Sequence, residues 1–279
     1  MSGFSGAARV AGVVGRPIAH SLSPAIHNAW IAAAGLDAVY VPLAPEDEAG
    51  FDRLVRACRG GLLAGLNVTA PFKERALALA DDPDPVALRA GSANLLLFHS
   101  DGACEARSTD GHGLIAGFAD QAPGHDLASG PAVILGAGGA ARAAAAALLD
   151  AGAPEVRIVN RTQARAEELV FHLKGPTHAF ALAEVARAFD GAWTLVNAAV
   201  GGPVPPLDGL AAGAAVMDMN YRPLRTGLLR AAEAAGHPTV DGLSMLIGQA
   251  QPSFEALFGQ APPDIDVRGV ALKAMERPA

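Results

Sequence analysis

Ten residues near the middle of the chain constrain its fold most: Ala132-Val133-Ile134-Leu135 running into Gly136-Ala137-Gly138-Gly139-Ala140-Ala141. Four consecutive apolar residues suit a strand buried on both faces, the environment of a parallel sheet. The glycines then open a helix that continues to about Ala151, with Gly152 placed to cap it. Strand, glycine turn and helix in that order form the context a dinucleotide fingerprint requires. Gly136 permits the tight turn and Gly138 lets the backbone approach a pyrophosphate. Ala141 is the third small position, where helix and strand pack closely. Phosphates would take the N–H groups and positive dipole end of that helix. The competing reading, a small-residue turn packed for steric reasons alone, leaves the complete strand–helix–strand context without a purpose.

The following strand, Glu155–Val159, bears on which dinucleotide is bound. A unit that binds NAD usually carries Asp or Glu about 20 residues after the glycines, bonded to the ribose 2′-hydroxyl. Here the strand leads into Asn160-Arg161-Thr162, with Arg165 one helical turn further. A carboxylate would repel a 2′-phosphate, whereas two guanidiniums grip it with directed, charge-assisted bonds. NADP is the expected cofactor; a solvated basic turn is the alternative role for these arginines.

Strand–helix alternation extends to both sides. Upstream, strands at Ala8–Val14, Ala38–Leu43, Gly65–Val68 and Ala93–Phe98 alternate with helices from Pro24 to Gly35, Asp47 to Arg59 and Pro71 to Ala80. A short helix follows the loop Asp81–Pro85. Ser23 reads as the N-cap of the first helix, with Pro24 at its first position. Downstream come a helix near Ala164–Leu173, strands at Thr194–Asn197 and Ala215–Met219, and a last long helix, Leu243–Phe258. The pattern predicts an α/β fold of two units joined near residues 108–128, each with a mostly parallel sheet. A length of 279 residues fits two domains. With 51% hydrophobic and 18% charged residues there is material for both cores, and dominant disorder is excluded.

Other function classes drop out. Acidic residues outnumber basic ones, 28 to 21, and no basic run occurs, so neither nucleic acid nor a membrane surface is an expected partner. Cys58 and Cys104 belong to no CxxC or Cys/His cluster, and the eight histidines show no paired-ligand spacing. No metal is expected, and the thiols suit a reducing cytoplasm. No stretch of about 18 uncharged apolar residues could span a bilayer. The first residues, MSGFSGAARVAGVVG, lack the basic and apolar regions of a secretory leader. The expectation is a soluble cytoplasmic enzyme acting on a small molecule, its oligomeric state open.

Eight segments in fixed order carry a more specific signal. They are Ser21-Leu22-Ser23-Pro24, Asn67-Val68-Thr69-Ala70-Pro71-Phe72-Lys73, Gly91-Ser92-Ala93-Asn94, Thr109-Asp110-Gly111, Gly136–Ala141, Asn160-Arg161-Thr162, Asp218-Met219-Asn220-Tyr221, and Gly242-Leu243-Ser244-Met245-Leu246 leading to Gln249-Ala250. Together they resemble the shikimate dehydrogenases over nearly the whole chain. The resemblance implies reversible, NADP-linked reduction of 3-dehydroshikimate to shikimate, a step of aromatic amino-acid biosynthesis. It implies a substrate-binding domain at 1–109 plus 242–279, a Rossmann-type NADP domain at 110–241, C-terminal helices returning to the first domain, and a cleft between the two. Carried over by position, Lys73 and Asp110 match the family's catalytic pair. Ser21, Ser23, Thr69, Asn94, Tyr221 and Gln249 match its substrate contacts. Gly136, Ala137, Gly138, Gly139, Ala140, Ala141, Asn160, Arg161, Thr162, Arg165, Asn197 and Gly242 match its cofactor side. Leu95, Ser108, Ala198-Ala199-Val200-Gly201 and Ser244 depart from the usual pattern. A quinate or other cyclic polyol carboxylate dehydrogenase, or a nucleotide-binding sensor without turnover, stays open as an alternative.

The chemistry supports the catalytic pair independently. Oxidising a carbinol sends a hydride to the nicotinamide and leaves a proton on oxygen to be removed. An ammonium both stabilises a developing alkoxide and exchanges a proton when its pKa is tuned. A carboxylate can orient it. Of 21 basic residues only Lys73, Lys174 and Lys273 are lysines, so a lysine after Asn67–Phe72 suggests a task arginine cannot perform. The plainer roles are a snorkelling lysine at Lys73, helix N-caps at Ser23 and Asp110, and packing or surface positions at Tyr221 and Gln249. His20, His27 and His112 lie near the motifs and are assigned no chemistry.

Overall fold

Six strands form the first sheet: β1 (Arg9–Val14), β2 (Ala38–Leu43), β3 (Gly65–Val68), β4 (Asp82–Pro83), β5 (Leu95–Phe98) and β6 (Cys104–Arg107). In the computed structural model, which describes residues 4–276, their order is β2-β1-β3-β5-β6-β4. β1 runs parallel to β2 and β3, while β5 is antiparallel to β3 and β6. The strands approach so closely that Cβ atoms at Gly12 and Gly65 would lie 2.4 Å from the carbonyls of Val41 and Leu96. Around this sheet lie α1 (Ser23–Ala33), α2 (Glu48–Cys58), α3 (Lys73–Leu79) and α4 (Pro85–Ala90). Phe51 and Phe72 stack at 4.8 Å in its core, beside Val55, Leu66 and Leu96.

Two expectations are corrected here. Ser23 is not the N-cap of α1; Leu22 holds that place, and Ser21 Oγ accepts the Ser23 N–H at 3.3 Å. The serine two residues upstream takes the exposed donor, so the helix starts one residue early. The segment expected as a loop, Asp81–Pro85, contains β4, held parallel to β6. β6 carries the alternation of a strand, Cys104 and Ala106 buried against half-buried Glu105 and Arg107, but over only four residues.

The second sheet is wholly parallel, in the order β12-β11-β10-β7-β8-β9. Its strands are β7 (Ala132–Leu135), β8 (Val156–Asn160), β9 (Thr177–Ala181), β10 (Ala192–Asn197), β11 (Leu210–Asp218) and β12 (Thr239–Asp241). Winding starts at β7, proceeds outward to β9, then reverses through β10 to β12. This is the doubly wound Rossmann arrangement, whose ligands bind where the winding reverses, here between β7 and β10. α5 (Asp110–Gln121), α6 (Gly139–Asp150), α7 (Gln163–Leu173), α8 (Val185–Phe189) and α9 (Gly227–Ala234) cover it. A Cβ at Gly111 would meet the Ala147 Cβ at 2.9 Å, so glycine there lets α5 and α6 touch.

Contacts divide the chain at Thr109/Asp110 and again at Gly248/Gln249, inside α10 (Gly242–Phe258). The sequence puts that return at Gly242, the start of the helix. α11 (Val267–Met275) packs on α1 within the first unit. Cys58 and Cys104 are buried free thiols. Among the described residues no helix is long and apolar enough to cross a membrane, and no three potential ligands gather for a metal.

Candidate active site

β7 ends at Leu135, and Gly136 turns the chain with φ +116°, a conformation open to glycine. Its missing Cβ would also press on Ala199 N at 3.2 Å and on the Ala198 carbonyl carbon at 3.3 Å. The fingerprint turn thus lies directly against the segment leaving β10, at the point where the winding reverses. A Cβ at Gly138 would meet nothing within 4 Å, so bare backbone faces open space there. Gly138 N-caps α6 without a side-chain bond, while Ala137 and Ala141 are buried beneath the turn. Gly139 and Ala140 complete the first turn, whose leading N–H groups point away from the helix body. Those features fit a pyrophosphate.

At the end of β8, the Asn160 carboxamide donates to the Thr162 carbonyl at 2.9 Å and closes a tight turn. Arg161, Thr162 and Arg165 are exposed, and neither guanidinium pairs with a carboxylate among the described residues. By contrast Arg142, on α6, is buried and bonded to Glu168 at 2.7 Å. A site with two uncommitted guanidiniums and no acid fits a 2′-phosphate better than a bare ribose.

A buried carboxylate ties together the two neighbouring loops. Asp218, 2% exposed at the end of β11, accepts from Asn197 Nδ2 at 3.0 Å, from Asn220 N at 3.0 Å and from Asn220 Nδ2 at 2.8 Å. Asn197 Oδ1 in turn accepts the Ala199 N–H, and Asn220 Nδ2 donates to the Ala199 carbonyl at 2.8 Å. Asn197 therefore shapes the loop against Gly136 through its side chain. Tyr221 follows Asn220 and is half-buried. Gly242 has a packing reason of its own, because a Cβ there would lie 2.3 Å from the Met219 carbonyl oxygen.

In the first unit, Asn94 bonds one matched substrate position, Gln249, directly and fixes the backbone beside Thr69 and Lys73. The Asn94 carbonyl accepts the Val68 N–H at 2.8 Å, immediately before Thr69. The Ala93 N–H donates to the Lys73 carbonyl at 3.0 Å, which fixes the first turn of α3 beside it. Thr69 is half-buried, its methyl filling the space above Gly15. Asn94 itself is 2% exposed; its Oδ1 accepts the Thr109 N–H at 2.8 Å, and its Nδ2 donates to Thr109 Oγ1 at 2.9 Å and Gln249 Oε1 at 2.8 Å. Ser21 and Ser23 stand at the start of α1, half-buried and buried respectively. Asp110 follows Thr109 and is the buried first residue of α5, within the helix rather than capping it.

Behind Asn94 lie residues to which sequence reasoning gave no role. Tyr40 Oη bonds Asn67 Oδ1 at 2.8 Å, and Asn67 Nδ2 donates to the Asn94 carbonyl and, at 2.9 Å, to Ser253 Oγ. Ser253 Oγ lies 3.2 Å from Thr109 Oγ1. The available signal was polar residues set inside otherwise apolar elements. His27 stacks on Tyr40 at 4.1 Å, and burial pushes its pKa down to about 3, so the imidazole stays neutral.

Residues 13–96 match the family model for the shikimate dehydrogenase substrate-binding domain, and residues 119–200 match that for shikimate/quinate 5-dehydrogenase. The chain is 54% identical to the NADP(+) shikimate dehydrogenase of Caulobacter vibrioides, across 98% of each protein. Among solved structures it resembles shikimate 5-dehydrogenase of Thermus thermophilus, in complex with NADP(H) and shikimate, at 33% identity and a TM-score of 0.83, covering 95% of this chain and 99% of that one. Quinate dehydrogenase of Corynebacterium glutamicum, in complex with NAD, aligns at 26% identity with a TM-score of 0.84, covering 95% and 98%. By fold, by motif and by these similarities over nearly its whole length, the chain belongs to the shikimate dehydrogenase family.

Proposed function

We propose that this chain carries out the reversible, NADP-linked reduction of 3-dehydroshikimate to shikimate. The observation that carries this reading is the network around Asn94, which bonds Gln249 and Thr109 directly, holds Val68 beside Thr69, adjoins the Ala93 bond to the Lys73 carbonyl, and ends one residue before Asp110. The substrate-binding unit is the first, and the NADP-binding unit is the second. A cytoplasmic location agrees with two free, buried thiols.

In this reading, Gly136–Ala141 and the start of α6 hold the pyrophosphate, while Asn160-Arg161-Thr162 and Arg165 hold the 2′-phosphate. Asn197 and Gly242 shape the loops on the cofactor side. When bound, NADP supplies hydride exchange at the carbinol carbon. Ser21, Ser23, Thr69, Asn94, Tyr221 and Gln249 hold the carboxylate and hydroxyls of the carbocycle. The Lys73 ammonium stabilises the oxygen as it gains negative charge and passes or receives its proton. Asp110 orients the ammonium and accepts a bond from the neighbouring hydroxyl.

Turnover and direct binding of shikimate and quinate, each with NADP and NAD, test this reading. Shikimate with NADP should give the highest kcat/KM. A preference for quinate or NAD would move the chain to the wider polyol carboxylate class, and binding without turnover would make it a sensor.

A further inference from the structure

We propose that the Thr109 backbone N–H, acting through Asn94, locks the Gln249 carboxamide as a hydrogen-bond donor, so that this position selects a substrate oxygen that accepts. The proposal rests on the substrate reading given above. Its logic is one of polarity. A peptide N–H can only donate, so the Asn94 atom 2.8 Å from Thr109 N must be the oxygen. The other terminal atom of Asn94 is then its NH₂, which can only donate. Its neighbour at 2.8 Å must therefore be the Gln249 oxygen. That leaves the Gln249 NH₂, which meets no protein acceptor among the described residues, on a half-buried side chain.

Hydroxyls in the same network do not disturb this order. Thr109 Oγ1 lies 3.0 Å from the Gln249 carbonyl and accepts from Asn94 Nδ2, while Ser253 Oγ lies 3.1 Å from that carbonyl. A hydroxyl rotates to suit its neighbours, whereas a main-chain N–H cannot. The polarity thus originates in the backbone, and Asn94 acts as a positioning residue in addition to any contact it makes itself. A ligand oxygen facing Gln249 must accept, which leaves a hydroxyl there free to donate its own proton elsewhere.

Two variants reverse the donor. In Gln249→Glu a carboxylate oxygen replaces the NH₂. In Asn94→Asp the second oxygen can only accept, so Gln249 turns its NH₂ inward and presents its oxygen. Each should raise KM for shikimate by roughly tenfold to a hundredfold, with KM for NADP unchanged. Gln249→Glu changes a half-buried side chain, so it reports even where the buried carboxylate of Asn94→Asp impairs folding.

A second readout is spectroscopic. The chain has five glutamines, so the side-chain NH₂ signals of ¹⁵N-glutamine-labelled protein can be assigned. The pair lost in Gln249→Glu should shift on adding shikimate to the wild type, and not in Asn94→Asp. If Gln249→Ala leaves KM for shikimate unchanged, the substrate reading of this site fails. If Gln249→Ala raises it while Gln249→Glu and Asn94→Asp keep the wild-type value, the reading stands and the polarity proposal is overturned.

Discussion

Thr226 Oγ1 donates to Asp218 Oδ2 at 2.7 Å, while the other carboxylate oxygen takes the donors of Asn197 and Asn220. The same hydroxyl accepts the Leu229 N–H at 3.3 Å and so caps α9. Removing it in Thr226→Val keeps the shape but leaves a buried carboxylate oxygen short of a donor, at a cost of about 1.5–3 kcal/mol. Asp218→Asn should be milder than Asp218→Ala, because an amide oxygen retains the three donors from Asn197 and Asn220. Urea unfolding gives the ranking. KM for NADP should rise with the severity of the change, since the same carboxylate holds the loop against Gly136. Unfolding midpoints that move while KM for NADP stays fixed would confine Asp218 to stability.

The second prediction concerns Arg161. Its guanidinium is exposed and without a carboxylate partner among the described residues, so truncation costs the fold little. Losing a charged hydrogen bond to the 2′-phosphate should cost about 1.5–3 kcal/mol, roughly a tenfold to a hundredfold rise in KM for NADP. KM for NAD should stay nearly constant. Arg165→Ala should act in the same direction, and an equal loss with both dinucleotides would reduce these arginines to structural roles.

The nucleotide half was legible because its determinants are local. Gly136 declares a backbone conformation, Ala132–Leu135 declares burial on both faces, and Arg161 declares a charge at the end of a strand. The substrate half was legible only as motifs. Asn94 meets Gln249 across 155 residues of sequence, and Asn67 meets Ser253 across 186, distances at which hydrophobic periodicity carries no information. β4 and β12 escaped for a different reason: with two and three residues, their pairing depends on neighbours rather than on their own pattern. Ser23 misled because a good capping residue was pre-empted by Ser21, itself a good capping residue.

His27 supplies a pH prediction. Burial holds its pKa near 3 in the folded chain, against 6.5 when unfolded. Above pH 6.5 both states are neutral at this residue and its contribution is fully present. Below that the unfolded chain takes up a proton that the folded chain refuses, so stability falls as pH drops from 6.5 towards 3, by up to about 1.4 kcal/mol per pH unit. His27→Phe keeps an aromatic ring against Tyr40 and should flatten the slope. Unfolding midpoints at about pH 7.5, 6.0 and 5.0 for both proteins decide the matter, and parallel slopes would exclude His27 as the source.

Lys73 carries the last prediction. It opens α3 with its carbonyl fixed by the Ala93 N–H, so the backbone that bears it is tied to the Asn94 network rather than to its own side chain. Lys73→Ala should therefore fold normally and lose turnover by roughly 10²–10⁴-fold, the span of a positioned proton-transfer group. Shikimate binding should weaken far less, because Asn94 and Gln249 keep each other in place. Lys73→Arg separates charge from proton transfer: guanidinium keeps the positive charge but does not give up its proton near neutral pH, so the rate should stay low. If Asp110 orients the ammonium as proposed, Asp110→Asn should slow kcat with a smaller change in KM. Steady-state turnover together with calorimetric binding of shikimate distinguishes these outcomes. A Lys73→Arg variant that turns over at the wild-type rate would leave Lys73 as a fixed charge, and the proton would have to travel by another route.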